Sequence, residues 1–249
     1  MSITDKVEEI KIKGFKLDFG TVFNNAFENY KKIALYAGSM LLVFTVILMV
    51  VFAVILISIY GIPKLMDVLK PENLKVLSTS SDFIIANLAF NILFSSFTSP
   101  FFAGLINMVH SAKMDEEFHV STAFKFYKTP YFKELFGATF IISILNVIST
   151  TLIDYSGFQL LSILISIAIT IFTLLTIPLI IFSDLKAISA IKSSCIIVSK
   201  QPMILFGLMA MGFLFSIAGM IGCFIGLFFT FPFMYSMYYS IYESIIGFE

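Results

Sequence analysis

Thr230-Phe231-Pro232-Phe233-Met234 repeats a pattern that occurs twice earlier, at Thr98-Ser99-Pro100-Phe101-Phe102 and at Thr176-Ile177-Pro178-Leu179-Ile180. Each copy lies in the second half of a long apolar run. Proline there deletes a helical hydrogen bond and bends the helix. Within a membrane such a kink is tolerated where a neighbouring helix or hydroxyl re-satisfies the freed carbonyl. Three kinks at similar depth predict one helical hairpin used three times, with Pro100, Pro178 and Pro232 as its structural kinks.

The composition agrees with a membrane chain. It is 59% hydrophobic and 13% charged, with a mean hydropathy of +0.98, against about 45–50% apolar content in soluble domains. Sixteen acidic and sixteen basic residues cancel, so no net charge recruits nucleic acid. Every basic residue is Lys, which removes the bidentate guanidinium clamp for phosphate or carboxylate. With no Trp, anchoring at the membrane interface falls to Tyr and Phe, such as Tyr235, Tyr238, Tyr239 and Tyr242. Cys195 and Cys223 are too few for a disulfide framework or a four-thiolate metal site. They read as small packing residues. A mostly polar stretch precedes the first apolar run, so no secretory leader is expected.

The apolar runs predict an all-α, polytopic membrane protein with a single integral domain over residues 1–249. Segments 33–59, 83–109, 135–153 and 160–182 are each long enough to cross a hydrocarbon core of about 30 Å. The final run, 203–246, would measure about 66 Å as one helix and must fold back. Gly219 and Gly222 flank the expected turn, giving spans 203–219 and 222–246 and six in all. The N-terminal segment 1–32 holds six lysines, residues 110–134 four and residues 183–202 three, against three in residues 61–82. The positive-inside rule then places both termini and the basic loops in the cytoplasm.

Each expected hairpin follows a cytoplasmic amphipathic helix. The first sets Val22, Phe23, Ala26, Phe27 and Tyr30 against Asn24, Asn25, Glu28, Lys31 and Lys32. The second covers Ser121–Lys128, with Ala123, Phe124 and Tyr127 apolar. The third runs from Asp184 to about Lys200, with Leu185, Ile188, Ile191 and Cys195 as its stripe. Ser121 and either Ser183 or Asp184 are the expected N-caps. Upstream, Ile10, Ile12, Phe15, Leu17 and Phe19 alternate with Lys11, Lys13, Lys16 and Asp18, a period of two that predicts an extended segment. Pro63–Lys70 is expected as a short interfacial helix on the outer side.

No Asp, Glu, Lys or His falls within the apolar runs before Glu243. That argues against an ion-coupled carrier. Polar side chains recur at helical spacing instead: Asn87, Asn91, Ser95 and Thr98 on the second span, Ser162, Ser166, Thr170, Thr173 and Thr176 on the fourth, and Thr139, Ser143, Asn146 and Thr150 on the third. Either they hold helices together or they line a polar path or a lipid-headgroup groove. Gly222 and Gly226 form a G-x-x-x-G step that lets two helix backbones approach. No nucleophile elbow, phosphate-binding loop or dinucleotide fingerprint occurs. The segment His110-Ser111-Ala112-Lys113-Met114-Asp115-Glu116-Glu117-Phe118-His119 carries two imidazoles and three carboxylates, but as a polar turn between two helices it reads as solvated charge. No catalytic, cofactor-binding or metal-binding residue is assigned.

The opening Phe19-Gly20-Thr21-Val22-Phe23-Asn24-Asn25-Ala26-Phe27-Glu28-Asn29-Tyr30-Lys31-Lys32 resembles the start of a broad group of prokaryotic six-span proteins. That group includes the membrane domain that precedes glycerophosphoryl diester phosphodiesterase domains. The Pro-containing inbound spans and Ser189-Ala190-Ile191-Lys192-Ser193-Ser194 fit the same group. The resemblance implies an integral membrane domain and carries over no catalytic residue. The other six-span, three-repeat architecture, that of mitochondrial carriers, has its Pro-x-acidic motifs in odd spans; here the prolines fall in even spans before apolar residues. The expected role is non-enzymatic: structural, lipid-associated or partner-scaffolding, with membrane lipids and other membrane proteins as partners. The alternatives are a permease or channel-like protein for a small neutral or amphiphilic solute and, third, a membrane enzyme.

Overall fold

The computed structural model describes residues 3–222 and 224–247, apart from the side chains of Thr4 and Ser78, and is helical with no strand among them. In chain order the helices are α1 (Ile3–Lys13), α2 (Phe19–Tyr60), α3 (Ile62–Val68), α4 (Pro71–Thr79), α5 (Ser81–Lys113), α6 (Val120–Phe124), α7 (Tyr131–Tyr155), α8 (Gln159–Phe172), α9 (Thr176–Ser183), α10 (Ala187–Val198), α11 (Pro202–Ile217), α12 (Ile225–Thr230) and α13 (Pro232–Ile245). Five stretches are long and apolar enough to cross a membrane: Phe19–Tyr60, Ser81–Lys113, Tyr131–Tyr155, Gln159–Ser183 and Pro202–Gly222.

The expected first amphipathic helix and first span are one continuous helix. Asp18 starts it, its carboxylate accepting from the Thr21 N–H at 2.7 Å. Hydrogen bonds from the Thr21 side chain and backbone hold the Asp18 carboxyl below the usual carboxylate range. At 42 residues α2 is about 63 Å long, twice the hydrocarbon thickness. Its buried positions, which include Val22, Ala26, Asn29, Ile33, Ala37 and Leu41, extend no further along the helix than Leu41. Val43, Val46, Ile47, Val50, Val51 and Val54 in the second half are exposed, an apolar face fitted to lipid.

Burial is concentrated at the lysine-rich end. There the C-terminal half of α5, from Ser96 to Ala112, and nearly all of α13 are inside. Helix α13 packs against α2, α5, α9 and α11 and forms the axis of the bundle. Tyr239 and Tyr242 are its largest buried side chains. Their hydroxyls meet His110 Nδ1 at 3.1 Å and the Ser183 hydroxyl at 2.7 Å. Lys113 pairs with Glu243 at 2.5 Å, joining α5 to α13. Lys32 donates to the Ala112 carbonyl at 3.0 Å, a cation at the C-terminal end of α5. The opposite end of the bundle is splayed.

Several local expectations are corrected. Of the segment expected to be extended, residues 10–13 belong to helix α1 and residues 14–18 lie outside any helix. In α1, Glu8–Lys11 and Glu9–Lys13 pair at helical spacing, and Val7 and Ile10 are buried while Ile12 is 80% exposed. The N-caps are His119 and Lys186 instead of Ser121 and Ser183 or Asp184. Asp184 ends α9 in the left-handed region, φ 55°. The second amphipathic stretch is the short α6 followed by a 3₁₀ turn, Lys125–Tyr127. The face α10 buries is Ala190, Ser194, Ile197 and Val198, whereas Ile188 of the expected stripe is 59% exposed. Gly222 meets nothing; the close approach is between Gly219 and Gly226, where a Cβ on Gly219 would lie 2.4 Å from the Gly226 carbonyl. The expected last span, 222–246, is not one helix: α12 and α13 divide at Phe231.

A candidate functional site: an apolar cleft beside a hydroxyl-lined cavity

The three Thr-x-Pro copies, alike in sequence, behave differently. All three prolines are buried. Pro100 lies inside an unbroken α5, where the Ser96 carbonyl, four residues back, accepts from the Ser99 hydroxyl at 2.8 Å. The Tyr127 hydroxyl reaches the next carbonyl, Phe97, at 2.9 Å; burial pushes that phenol up to about 12, so it stays a donor. Before Pro178 the helix opens between α8 and α9. Ser194 of α10 closes the gap, accepting from the Leu175 N–H at 3.1 Å and donating to the Phe172 carbonyl at 2.8 Å. Before Pro232 the helix divides at Phe231, and the Phe231 N–H still donates to Leu227 at 2.8 Å.

The threonines of the motif differ as well. Thr98 donates to the Phe94 carbonyl of its own helix at 2.9 Å, and Thr230 to Ser216 of α11 at 2.5 Å. Thr176, 1% exposed, has no hydrogen-bond partner for its hydroxyl.

The polar stripes resolve mostly into local bonds. Ser95 shares a hydrogen bond with Ser143 at 2.8 Å, joining α5 to α7. Asn146 donates to Ser166 at 3.1 Å, and Ser162 to Asp154 at 2.5 Å, both between α7 and α8. Asn87 and Asn91 are exposed and bond to each other along α5. Thr150, Thr170 and Thr173 donate to carbonyls of their own helices. Interhelical adhesion of this kind is worth about 0.6 kcal/mol per pair on average.

Two cavities open where the bundle splays. The larger, about 800 Å³, is a cleft between α2, α5 and α12. Its walls include Phe44, Phe52, Phe90, Phe94, Phe228 and Phe231. Phe52 and Phe90 touch in its wall, centroids 5.5 Å apart and ring planes tilted by 41°. The smaller cavity, about 350 Å³, lies between α5, α7, the α8–α9 break and α13. It brings together Thr139, Thr170, Thr173 and Thr176 with Tyr235 and Tyr238. Phe102 and Phe231 line both. Tyr235 stands between them, stacked on Phe102 (5.8 Å, 18°) and edge-on to Phe231 (6.0 Å, 66°).

The phenylalanine wall was not singled out by the sequence reading, which weighed polar residues. Its available signal was the four-residue spacing of Phe90 and Phe94 on one helix face. Among the described residues no three of His, Cys, Asp and Glu converge as metal ligands, residues 110–119 included. No protein-family model, curated protein or solved structure matches this chain.

Proposed function

We propose that this chain is a lipid-associated protein of a prokaryotic cytoplasmic membrane, spanning it six times with both termini in the cytoplasm, and that the phenylalanine cleft holds lipid acyl chains. The observation that carries the reading is the cleft itself: about 800 Å³, walled by aromatic and aliphatic side chains, and set among helices whose outer faces are apolar and exposed. In a bilayer the molecules adjoining such a wall are acyl chains. The interhelical bonds Ser95–Ser143 and Asn146–Ser166 favour this role over a permease, because those polar side chains are engaged in holding helices together. As a sixth span, α12 and α13 cover residues 225–245, about 32 Å if followed through the Phe231 kink. The resemblance of Phe19–Lys32 to phosphodiesterase-associated membrane domains is in keeping with a lipid-linked role.

Photolabelling tests the cleft. With the full chain reconstituted in phosphatidylglycerol carrying an acyl-chain diazirine, adducts should be several-fold more frequent at Phe90, Phe94 and Phe228 than at Val46, Val50 and Val54 on the outer face of α2. Equal labelling of the two sets would sink the reading.

The orientation has its own test. The lysine split, thirteen on one side and three on the other, places Lys125 in the cytoplasm and Lys70 outside. On a Cys-free background, a membrane-impermeant maleimide should modify Lys70→Cys in intact cells and Lys125→Cys only after the membrane is opened. The reverse pattern overturns the topology.

A further inference from the structure

We infer that the hydroxyl-lined cavity receives the uncharged, oxygen-bearing head of an amphiphilic lipid whose tail lies in the adjoining phenylalanine cleft. This rests on the lipid-associated reading and deepens it by naming the class of lipid. The Thr176 hydroxyl supplies the first argument. Its two counterparts in the repeated motif, Thr98 and Thr230, are hydrogen-bonded. Thr176 is fully buried, lines the cavity and has an unspent donor. Native structures seldom leave a buried hydroxyl in that state unless something else meets it.

The rest of the wall specifies the partner's chemistry. Thr170 and Thr173 donate to the Ser166 and Ile169 carbonyls of their own helix, at 2.9 and 2.7 Å, which leaves their oxygens able to accept. Tyr235 and Tyr238 add phenols to the same wall. Among the described residues no charged side chain lines either cavity. An ionised head would therefore be desolvated without a counter-charge, which is strongly unfavourable. A hydroxyl or carbonyl oxygen is matched instead, as in a diacylglycerol or a prenyl quinone.

The two cavities are proportioned and joined for one molecule. The head space, about 350 Å³, is smaller than the tail space, about 800 Å³. They share Phe102 and Phe231, with the Tyr235 ring between.

The experiment uses the full-length protein in phosphatidylglycerol nanodiscs, with radiolabelled dioleoylglycerol and, separately, a radiolabelled quinone with a ten-carbon tail as probes. At least one should bind saturably, at one per chain. Thr176→Val removes the donor at constant shape and should weaken that probe about tenfold, the effect of one hydrogen bond. Thr176→Ser should restore binding. Because the change removes only an unpaired hydroxyl, Thr176→Val should melt no lower than the parent. The probe that saturates identifies the head. Absence of saturation by both, or equal binding by the parent and Thr176→Val, overturns the inference. If phosphatidylglycerol photolabelling of the cleft persists in that case, the lipid-associated reading stands without it; if that labelling is also uniform, both fall.

Discussion

Gly104→Ala is expected to lower the stability of the folded chain by about 3 kcal/mol, the upper end of the usual cost of overpacking. A Cβ at this position would stand 2.1 Å from the Ala123 carbonyl oxygen and 2.6 Å from its Cα. The obstacle is backbone, so no side-chain rotation relieves it. Helix α6 rides directly on this glycine, and α6 with its 3₁₀ turn is the piece that redirects the chain from α5 into α7. Pushing it outward also pulls Ala123 and Phe126 from the core, where both are buried. Gly222→Ala is the matched control. A Cβ there meets nothing within 4 Å, so its effect should stay within about 0.5 kcal/mol, as for other unencumbered sites. Thermal melting of the two variants in one detergent checks the pair. Equal melting temperatures would mean that α6 is not seated on α5.

The contrast between these glycines also marks what the sequence conceals. Hydropathy located the long apolar helices because lipid imposes one requirement on every span, an apolar run of sufficient length. It located the prolines for a similar reason. What it did not convey is which small residue lies at a crossing. Gly222 and Gly226 have the spacing of a contact motif, yet the close pair is Gly219 and Gly226, because the chain turns between them through the 3₁₀ segment Ala218–Gly222. In α10 the ranking by hydrophobicity favoured Ile188 and Ile191, while the fold buries Ala190 and Ser194. Close approach selects for small volume there, and volume is not what a hydropathy pattern measures. At the N-terminus an alternation over a few residues suggested an extended segment. The i,i+3 and i,i+4 ion pairs of Glu8, Glu9, Lys11 and Lys13 were the better signal. The candidate site was half legible. Thr139, Thr170, Thr173 and Thr176 were visible as polar positions at helical spacing, but their convergence with Tyr235 and Tyr238 depends on how three helices pack.

Ser194 tests whether that packing is what makes the second proline kink tolerable. Opening α8 from α9 leaves the Leu175 N–H and the Phe172 carbonyl without regular helical partners, in a part of the chain where Leu175 is wholly buried. The Ser194 hydroxyl serves both, accepting from one and donating to the other. The group that serves both must be donor and acceptor at once, as a hydroxyl is. Ser194→Ala should therefore leave the buried Leu175 N–H and the partly buried Phe172 carbonyl unpaired, at about 1–3 kcal/mol each or about 2–6 kcal/mol together. Ser194→Thr keeps the hydroxyl but adds a methyl at a fully buried position, so it should recover only part of the loss. The double variant Ser194→Ala with Pro178→Ala discriminates further. If the serine exists to serve the break made by proline, restoring the amide lets α8 and α9 join, and the serine becomes dispensable. Ser194→Ala should then cost at least about 1 kcal/mol less in the Pro178→Ala background than in the parent, a coupling beyond the error of additivity for independent sites. Strict additivity in denaturant titrations of the four proteins would separate the two residues and leave the break without its stated cause.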